Sequence, residues 1–336
     1  MISIAEQPTT SRWATLAEQA INLEPISDED AMAVLEASDA EVLSILHEAF
    51  RVRRHFFGKV IKLNMLLNAK SGHCPEDCGY CSQSSVSDAE VETYNIMDKE
   101  TILAAARRAV AAKASTFCLV CSGRGPNPRT LDTVIEAVKE IKAEMPLRLC
   151  ACLGVLAEEQ AEALKEAGVD RYNHNLNTSK ENYEKVCSTH TFDDRVDTVN
   201  KARGAGMSAC SGVIIGMGES HGEIIDMARN LRDIGAESIP INLLHPVEGT
   251  PMGHYPEVPP MFALRVLSLF RFICPDREIR VAGGREASLR SLQPLAFFVA
   301  NSLFVGDYLT TDGQTIDADH QMIKDLGFEI EEIAKP

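Results

Sequence analysis

The sequence predicts an α/β protein that forms a (β/α)8 TIM-type barrel with an N-terminal helical extension. Short apolar segments alternate with longer segments of helical periodicity, and about eight such units follow one another. Gly168, Gly206 and Gly235 stand where three of the helices should end. Because eight β/α units are the number that closes a parallel barrel, we expect one barrel over residues 56–330. An open doubly wound sheet is the alternative arrangement of the same units.

Residues 1–55 are predicted to be a helical cap on the barrel. The run Ser27-Asp28-Glu29-Asp30 is typical of a helix start, and residues 40–50 carry apolar side chains at helical spacing. We expect this segment to pack on the barrel and not to form an independent domain.

The barrel elements are predicted from residue 60 onward. Eight short β-prone segments are expected to be strands, namely residues 61–67, 116–120, 147–153, 171–175, 208–215, 238–243, 278–282 and 302–305. Seven segments with helical periodicity lie between or after them, namely residues 99–112, 131–144, 157–167, 193–205, 222–234, 260–273 and 286–300.

Composition narrows the class of function. The chain has 336 residues, of which 45% are hydrophobic, and its formal net charge of −16 argues against binding to nucleic acid or to an anionic membrane. No window of about 18 uncharged apolar residues is present, which argues against a membrane span. The first 30 residues are acidic and lack the apolar core of a signal peptide. We therefore expect a cytoplasmic protein.

Three of the ten cysteines form a C-x-x-x-C-x-x-C run immediately after the first predicted strand, at Cys74, Cys78 and Cys81. In a parallel barrel this loop lies at the carboxyl end of the strand, where active sites gather. Three thiolates can hold three irons of a [4Fe–4S] cube and leave the fourth iron open to another ligand. A structural zinc site completed by His73 or a distant ligand is an alternative, and inert thiols are another.

The cysteine run, with Tyr80 before its third cysteine, resembles the signature of the radical S-adenosylmethionine superfamily. Residues 212–219 also match the G-x-I-x-G-x-x-E pattern of that superfamily. The resemblance implies that the open iron binds S-adenosylmethionine, with Tyr80 beside it. It also implies that one electron cleaves this cofactor to give a 5′-deoxyadenosyl radical.

A second set of cysteines falls on the second, third and fifth predicted strands, at Cys118, Cys150 and Cys210. Strand side chains alternate, and the inward set of a barrel converges on its axis. Three inward thiols can therefore meet although they are far apart in sequence. Small core residues are the alternative interpretation, because free cysteine is commonly buried.

The segments around these cysteines, together with residues 279–286, resemble the biotin synthase family. The resemblance implies that Cys118, Cys150, Cys210 and Arg280 ligate an auxiliary [2Fe–2S] cluster, which donates sulfur to dethiobiotin in the last step of biotin biosynthesis. An arginine ligand is unusual, because guanidinium is normally protonated and has no free lone pair. A buried carboxylate partner is the plain alternative for Arg280.

Residues 171–177 resemble the Y-N-H-N-L-D motif of the same family. This implies that Asn175 and Asn177 hold the ribose of S-adenosylmethionine, and that Asn173 and Asn242 hold the ureido ring of dethiobiotin. Asn177 stands where the family usually has aspartate, and an amide can both donate and accept. Satisfaction by backbone at a strand end is the alternative for each asparagine. His174 is expected to point away from its neighbours and to be structural.

The resemblance also implies a homodimer, a flavodoxin- or ferredoxin-type reductant and iron–sulfur assembly proteins as partners. Rival interpretations within the superfamily are a hydrogenase-cofactor maturase and a methylornithine synthase, which are not expected to carry all four residues of the auxiliary set. A non-enzymatic zinc- or iron-sensing protein is a rival from another class. Four further cysteines have no assigned role, namely Cys121, Cys152, Cys187 and Cys274.

Overall fold

The computed structural model describes residues 11–333. Three helices precede the barrel: α1 (Arg12–Ile21), α2 (Asp28–Glu36) and α3 (Val42–Phe57). Ser27 begins α2, because its hydroxyl accepts a hydrogen bond from the backbone N–H of Asp30. Residues 1–10 of the predicted N-terminal extension lie outside the described residues.

The remaining elements follow the predicted alternation. The strands are β1 (Val60–Lys70), β2 (Thr116–Cys121), β3 (Arg148–Cys152), β4 (Arg171–Asn173), β5 (Ser208–Cys210), β6 (Val213–Ile215), β7 (Ser238–Leu243), β8 (Glu278–Val281), β9 (Ser302–Phe304) and β10 (Glu329–Ile330). The helices are α4 (Lys99–Ala111), α5 (Pro128–Glu144), α6 (Glu158–Ala167), α7 (Tyr183–Val186), α8 (Phe192–Gly204), α9 (His221–Asp233), α10 (Pro260–Ile273), α11 (Arg285–Leu289), α12 (Gln293–Ala296) and α13 (Ile316–Asp325). Single 3₁₀ turns occur at Asp39–Glu41 and Arg290–Leu292.

The sheet closes on itself. Its parallel order runs β1-β2-β3-β4-β5-β7-β8-β9 and returns to β1, where Lys62 is in register with Ser302. This closure confirms the predicted barrel and excludes the open doubly wound sheet. The last strand, β10, pairs with the start of β1, with Val60 in register with Glu329.

Two predicted elements are divided in the structure. The predicted strand over 208–215 is two strands, β5 and β6, with Ser211 and Gly212 between them. At Gly212 the backbone lies so close to β7 that a side chain would collide with the carbonyl oxygen of Pro240. The predicted helix over 286–300 is α11, a 3₁₀ turn and α12. The break falls at Arg290, whose φ of 51° is left-handed, and Pro294 lies in the first turn of α12.

The helices α1 to α3 share one apolar core with the barrel. Leu16, Ile45 and Phe270 are fully buried in the same cluster as the β7 and β8 side chains Ile239 and Ile279. Within residues 11–333, no helix combines the length and the apolar character that crossing a membrane requires.

Candidate functional site

The loop that follows β1 carries Cys74, Cys78 and Cys81 at the carboxyl end of the barrel. A backbone hydrogen bond from Cys81 to the carbonyl of Cys78 (3.1 Å) makes a turn there. The carboxylate of Asp77 accepts from the backbone N–H groups of Ser188 (2.9 Å) and Thr189 (3.1 Å). The loop is therefore fastened to the segment that follows α7.

A cavity of about 380 Å³ opens beside this loop. It is lined by residues from both predicted binding groups, namely Tyr80, Cys81, Asn173, Asn175, Asn177 and Asn242. The volume is of the size that holds small-molecule ligands, and the wall mixes apolar groups with a few convergent amides. The structure thus brings together the residues for which the sequence predicted cofactor and substrate contacts.

Tyr80 and Asn177 form one contact at the cavity wall. The amide of Asn177 donates to the Tyr80 hydroxyl (2.7 Å). Asn177 has a φ of 68°, and its backbone N–H and carbonyl bind Gly212 and Ile214. Asparagine adopts this left-handed conformation more readily than most residues, so the backbone itself favours asparagine or aspartate here.

The other predicted asparagines differ in what satisfies them. The amide of Asn173 donates to Asn175 Oδ1 (2.9 Å) and lies 3.3 Å from the Cys210 thiol. The amide of Asn242 donates to the carbonyl of Val213 (3.0 Å) and accepts from the backbone N–H of Gly283 (3.0 Å). Backbone groups therefore satisfy the hydrogen bonds of the Asn242 side chain, which was the alternative interpretation for each asparagine. Asn242 also lines the cavity.

The G-x-I-x-G-x-x-E segment forms a closed turn after β6. The carboxylate of Glu219 accepts from the backbone N–H groups of Gly216 (2.6 Å) and Met217 (2.8 Å). Burial raises the pKa of Glu219 and these backbone bonds oppose that rise. This turn fixes the chain at the carboxyl end of β6.

Cys118, Cys150 and Cys210 meet inside the barrel. Cys118 and Cys150 are register partners on β2 and β3, and Cys210 on β5 completes a buried cluster. Hydrogen bonding with Cys150 lowers the pKa of Cys210 against the opposing effect of burial, and the nearby Arg280 cation lowers it further. Strand alternation therefore predicted this convergence correctly.

Arg280 faces this thiol cluster and a carboxylate at once. One guanidinium nitrogen lies 3.9 Å from Cys210 Sγ, while another donates to Glu278 Oε1 (2.7 Å). The ring of Phe304 packs against the guanidinium, with its centroid 4.8 Å away. Arg280 therefore lies beside the cysteines, as expected, and it also has the buried carboxylate partner that was the alternative interpretation.

The floor of the barrel below Arg280 is an ionic cluster. Glu278 also lies 3.0 Å from Arg171 and 3.3 Å from Lys62. Burial alone would raise the pKa of Glu278, but Arg171, Arg280 and Lys62 hold it well below the usual range. A second cavity of about 320 Å³ opens to this cluster from the amino-terminal end of the barrel.

Several residues of the site escaped sequence reasoning. Buried Arg195 on α8 donates to the carbonyl of Asn175 (2.8 Å) and to His190 Nε2 (3.0 Å). Helical spacing could have indicated that Arg195 is buried. Thr198 and Val199, three and four residues later on α8, lie on the same buried face of the helix.

His174 is buried between Asn173 and Asn175, which are only half-buried, and it contributes to the cavity wall. The expectation that it points away from these asparagines stays a prediction. Burial lowers the pKa of His174 well below its usual range, and its Nε2 has no hydrogen-bond partner.

The four unassigned cysteines have distinct surroundings. Cys152 lines the cavity, Cys121 is buried on β2, and Cys274 donates to the carbonyl of Ala228 (3.5 Å). Cys187 lies against the first cluster loop, with its sulfur 3.7 Å from that of Cys78. Hydrogen bonding between these two thiols raises the pKa of Cys78 and lowers that of Cys187.

Comparison with known protein families and curated proteins agrees with this geometry. Residues 69–231 match the Radical SAM superfamily, and residues 240–329 match the Biotin and Thiamin Synthesis associated domain. The chain is 55% identical to a biotin synthase of Bacillus pumilus, over 98% of this chain and 99% of the relative. It is 52% identical to a biotin synthase of Bacillus subtilis, over 96% of each.

Solved structures share the fold at low sequence identity. A methylornithine synthase is 19% identical, with a TM-score of 0.81, covering 94% of this chain and 97% of that one. The FeFe-hydrogenase maturase of Carboxydothermus hydrogenoformans is also 19% identical, with a TM-score of 0.79, covering 95% of this chain and 79% of that one. These two likenesses establish the barrel fold alone.

Proposed function

This chain belongs to the biotin synthase family, and we propose that it takes the sulfur for biotin from an auxiliary [2Fe–2S] cluster. It is a radical S-adenosylmethionine enzyme, and its substrate is dethiobiotin. The observation that supports the sulfur source is the meeting of Cys118, Cys150, Cys210 and Arg280 below the cavity. Four strands contribute to that group, and it lies beneath a cavity of ligand size.

The residues fit both clusters. Cys74, Cys78 and Cys81 supply the three thiolates of a cube with one open iron, and Cys81 lines the cavity in which a cofactor bound to that iron would lie. The three inner thiols are buried together with Arg280 as the fourth group, a soft sulfur-rich set that suits iron–sulfur chemistry. The chemistry that the clusters supply when bound is one-electron cleavage of S-adenosylmethionine and donation of sulfur.

The side chains of the chain position the two small molecules. We assign Tyr80, Asn175 and Asn177 to S-adenosylmethionine, and the Tyr80–Asn177 bond orients that wall before the cofactor arrives. Asn173 is assigned to the ureido ring of dethiobiotin, because its amide lies between Asn175 and the Cys210 thiol.

Three further residues shape the substrate side of the cavity. Asn242 contributes to the same wall, although backbone groups already satisfy its amide. Leu66 and Phe304 pack on the inner thiols and keep water from them.

Arg280 is held in place by Glu278. The carboxylate fixes one edge of the guanidinium, which leaves another nitrogen directed at Cys210. Coordination of iron by this arginine would require displacement of a proton. Burial alone would lower the pKa of Arg280, but Cys210, Glu278 and Cys118 raise it, so we propose that the positive charge of the iron would drive that displacement.

The partners proposed for this cytoplasmic enzyme are a flavodoxin- or ferredoxin-type reductant, iron–sulfur assembly proteins and a second copy of the chain. Family membership supports them. The reaction also requires them in part, because each cleavage of S-adenosylmethionine consumes an electron and each donated sulfur depletes the auxiliary cluster.

The test compares anaerobically reconstituted wild type with Cys118→Ala and with Cys121→Ala, a control for a buried cysteine on the same strand. We expect Cys118→Ala to keep the cube and cleavage of S-adenosylmethionine but to lose the iron and sulfide of the second cluster and all biotin formation. Cys121→Ala should keep both clusters. Wild type rebuilt with ³⁴S-sulfide should transfer the label to biotin.

Three results would overturn parts of the proposal. A cluster content that Cys118→Ala leaves unchanged would contradict the auxiliary site. Biotin without ³⁴S would contradict the sulfur source, and zinc alone after reconstitution would contradict the radical mechanism as well.

A further inference from the structure

Three potential ligand groups meet behind the first cluster loop: the thiols of Cys78 and Cys187 and the imidazole of His190. All three residues are buried. Within residues 11–333, this is the one group of three histidine, cysteine or acidic side chains whose ligand atoms all lie within 4.8 Å of one another. Of these three residues, only Cys78 is a proposed ligand of the [4Fe–4S] cube. Cys187 and His190 have no role in the proposed reaction.

The three distances fit one tetrahedral metal ion. The two sulfurs are 3.7 Å apart, and His190 Nε2 lies 3.5 Å from each of them. With Zn–S bonds of about 2.3 Å and a Zn–N bond of about 2.0–2.1 Å, the edges of a tetrahedron are ~3.8 Å between sulfurs and ~3.6 Å between sulfur and nitrogen. The side chains therefore form one face of a tetrahedral site.

The imidazole is also in the tautomer that a metal needs. Arg195 donates to Nε2 (3.0 Å), and an arginine can only donate, so Nε2 carries the lone pair. The proton is then on Nδ1 and is shared with the Tyr183 hydroxyl (2.9 Å). A histidine ligand is commonly fixed in this way by a partner on its other nitrogen.

The surrounding charges are compatible with a cation. Asp77 Oδ1 lies 3.0 Å from Cys187 Sγ, and Glu76 Oε2 lies 3.6 Å from His190 Nε2. The opposing charge is Arg195, whose hydrogen bond to Nε2 a metal would replace. Arg195 would keep its bonds to the Tyr183 hydroxyl and to the Asn175 carbonyl.

We infer that the cluster-free protein binds one Zn²⁺ ion through Cys78, Cys187 and His190, and that this ion and the [4Fe–4S] cube exclude each other. Zinc is the favoured cation because the set is two thiolates and one imidazole in tetrahedral geometry. We expect the exclusion because both metals draw on the same Cys78 thiolate, which the zinc site holds against Cys187 and His190. Only this second part rests on the proposed function, since zinc binding itself requires no cluster.

The experiment uses metal-free full-length protein under anaerobic conditions and Co²⁺, whose visible bands report tetrahedral thiolate ligation, followed by competition with Zn²⁺. Cys74→Ser/Cys81→Ser should keep the cobalt bands, whereas Cys187→Ser and His190→Gln should lose them. Cys187→Ser retains a hydroxyl for the bond to Asp77, and Cys274→Ser is the control for a buried thiol at the end of α10. None of these variants changes Cys118, Cys150 or Cys210. Any cobalt absorption from those three thiols is therefore the same in all variants, and the comparison concerns the bands that remain after it is subtracted.

The expected size of the effect follows from ligand loss. Changes around a metal ligand already weaken binding by about 10- to 100-fold, so loss of the Cys187 ligand should weaken Zn²⁺ binding by more than that. Cobalt bands that persist unchanged in Cys187→Ser would show that other thiols bind the ion. Bands that vanish in Cys74→Ser/Cys81→Ser while the circular dichroism is unchanged would place the ion on the cysteine triplet. Either result would overturn the inference.

A second measurement tests the exclusion. Protein preloaded with one Zn²⁺ and then supplied with iron and sulfide should form the cube more slowly than zinc-free protein, as read by iron content and visible absorbance. Cys187→Ser should form it at the same rate with and without Zn²⁺. Equal inhibition of both proteins would show that zinc does not act through this site, whereas failure of either protein to form any cube without zinc would instead contradict the proposed function.

Discussion

Glu278 Oε1 lies 2.7 Å from the guanidinium of Arg280, and the other oxygen of the same carboxylate lies 3.0 Å from Arg171. The Glu278 carboxylate thus balances the charge of two arginines, and Lys62 is a third cation beside it. Because Arg280 in turn faces Cys210, the floor of the barrel sets the position of the group beside the inner thiols.

Removal of the Glu278 charge should destabilise the fold. Glu278→Gln keeps the shape and the acceptor oxygen but leaves the buried Arg280 and the half-buried Arg171 and Lys62 without this counter-charge. Loss of one partner of a buried ion pair typically costs about 3–5 kcal/mol. Urea unfolding of the metal-free protein measures this cost. Exposed Glu237 lines the same cavity, and Glu237→Gln should change the free energy of unfolding by less than about 0.5 kcal/mol. Equal effects of the two substitutions would contradict this account.

Asn177 has two roles that substitutions can separate. Asn177→Ala should lose the bond to Tyr80 and also strain the backbone at a φ of 68°, by about 1 kcal/mol. Asn177→Gly relieves the strain without restoring the bond. Asn177→Asp tolerates the same backbone conformation and can accept a hydrogen bond from the Tyr80 hydroxyl, the reverse of the bond that Asn177 donates. We expect affinity for S-adenosylmethionine, measured by calorimetry on the cube-loaded protein, to fall in the alanine and glycine variants only. A glycine variant with wild-type affinity would show that the side chain does not contact the cofactor.

The close approach of Gly212 to β7 leaves no space for a side chain. Gly212→Ala would place a methyl group against the carbonyl of Pro240, and backbone on both sides leaves little room to move. We expect insoluble protein or a loss of more than about 3 kcal/mol in thermal or urea unfolding. Gly204→Ala, at the end of α8 with nothing within 4 Å of the new atom, should be neutral or stabilise by up to about 1 kcal/mol. A soluble Gly212→Ala protein of unchanged stability would show that β7 can retreat.

Asp319 makes stability depend on pH between about 4 and 6. Burial raises the pKa of this carboxyl to about 6 although Arg285 opposes the rise. The unfolded value is about 3.9, so within this window the folded state binds more protons than the unfolded state. The free energy of unfolding should therefore fall as pH rises through the window, by up to about 3 kcal/mol from this group.

Asp319→Asn should remove that part of the slope. Urea titrations of both proteins from pH 4.5 to pH 7 measure the difference, and the two curves should run parallel above pH 6.5. Parallel curves over the whole range would show that Arg285 keeps Asp319 ionised throughout.

Local patterns accounted for most of the barrel and for both cysteine sets. The strands and the triplet at Cys74, Cys78 and Cys81 depend on residues close in sequence. Cys118, Cys150 and Cys210 were within reach because alternation fixes the direction of a strand side chain whatever its partner is.

What escaped prediction depends on contacts between distant segments. The close approach of Gly212 involves Pro240 on another strand, and the ionic floor results from three strands placing charged groups at one end. His190 and Cys187 approach Cys78 only because Asp77 fastens its loop to their segment. No periodicity within either segment encodes such an approach.

The pairing of β1 with β2, β9 and β10 has a consequence for biosynthesis. The first barrel strand cannot complete its edge until residues 302–304 and 329–330 have left the ribosome. Translation of the roughly 260 residues between β1 and β10 takes about 13 to 52 seconds at ~5–20 residues per second. Throughout that interval a nascent chain exposes an unpaired apolar edge and free thiols, so holdase chaperones and a reducing environment should determine how much active enzyme accumulates.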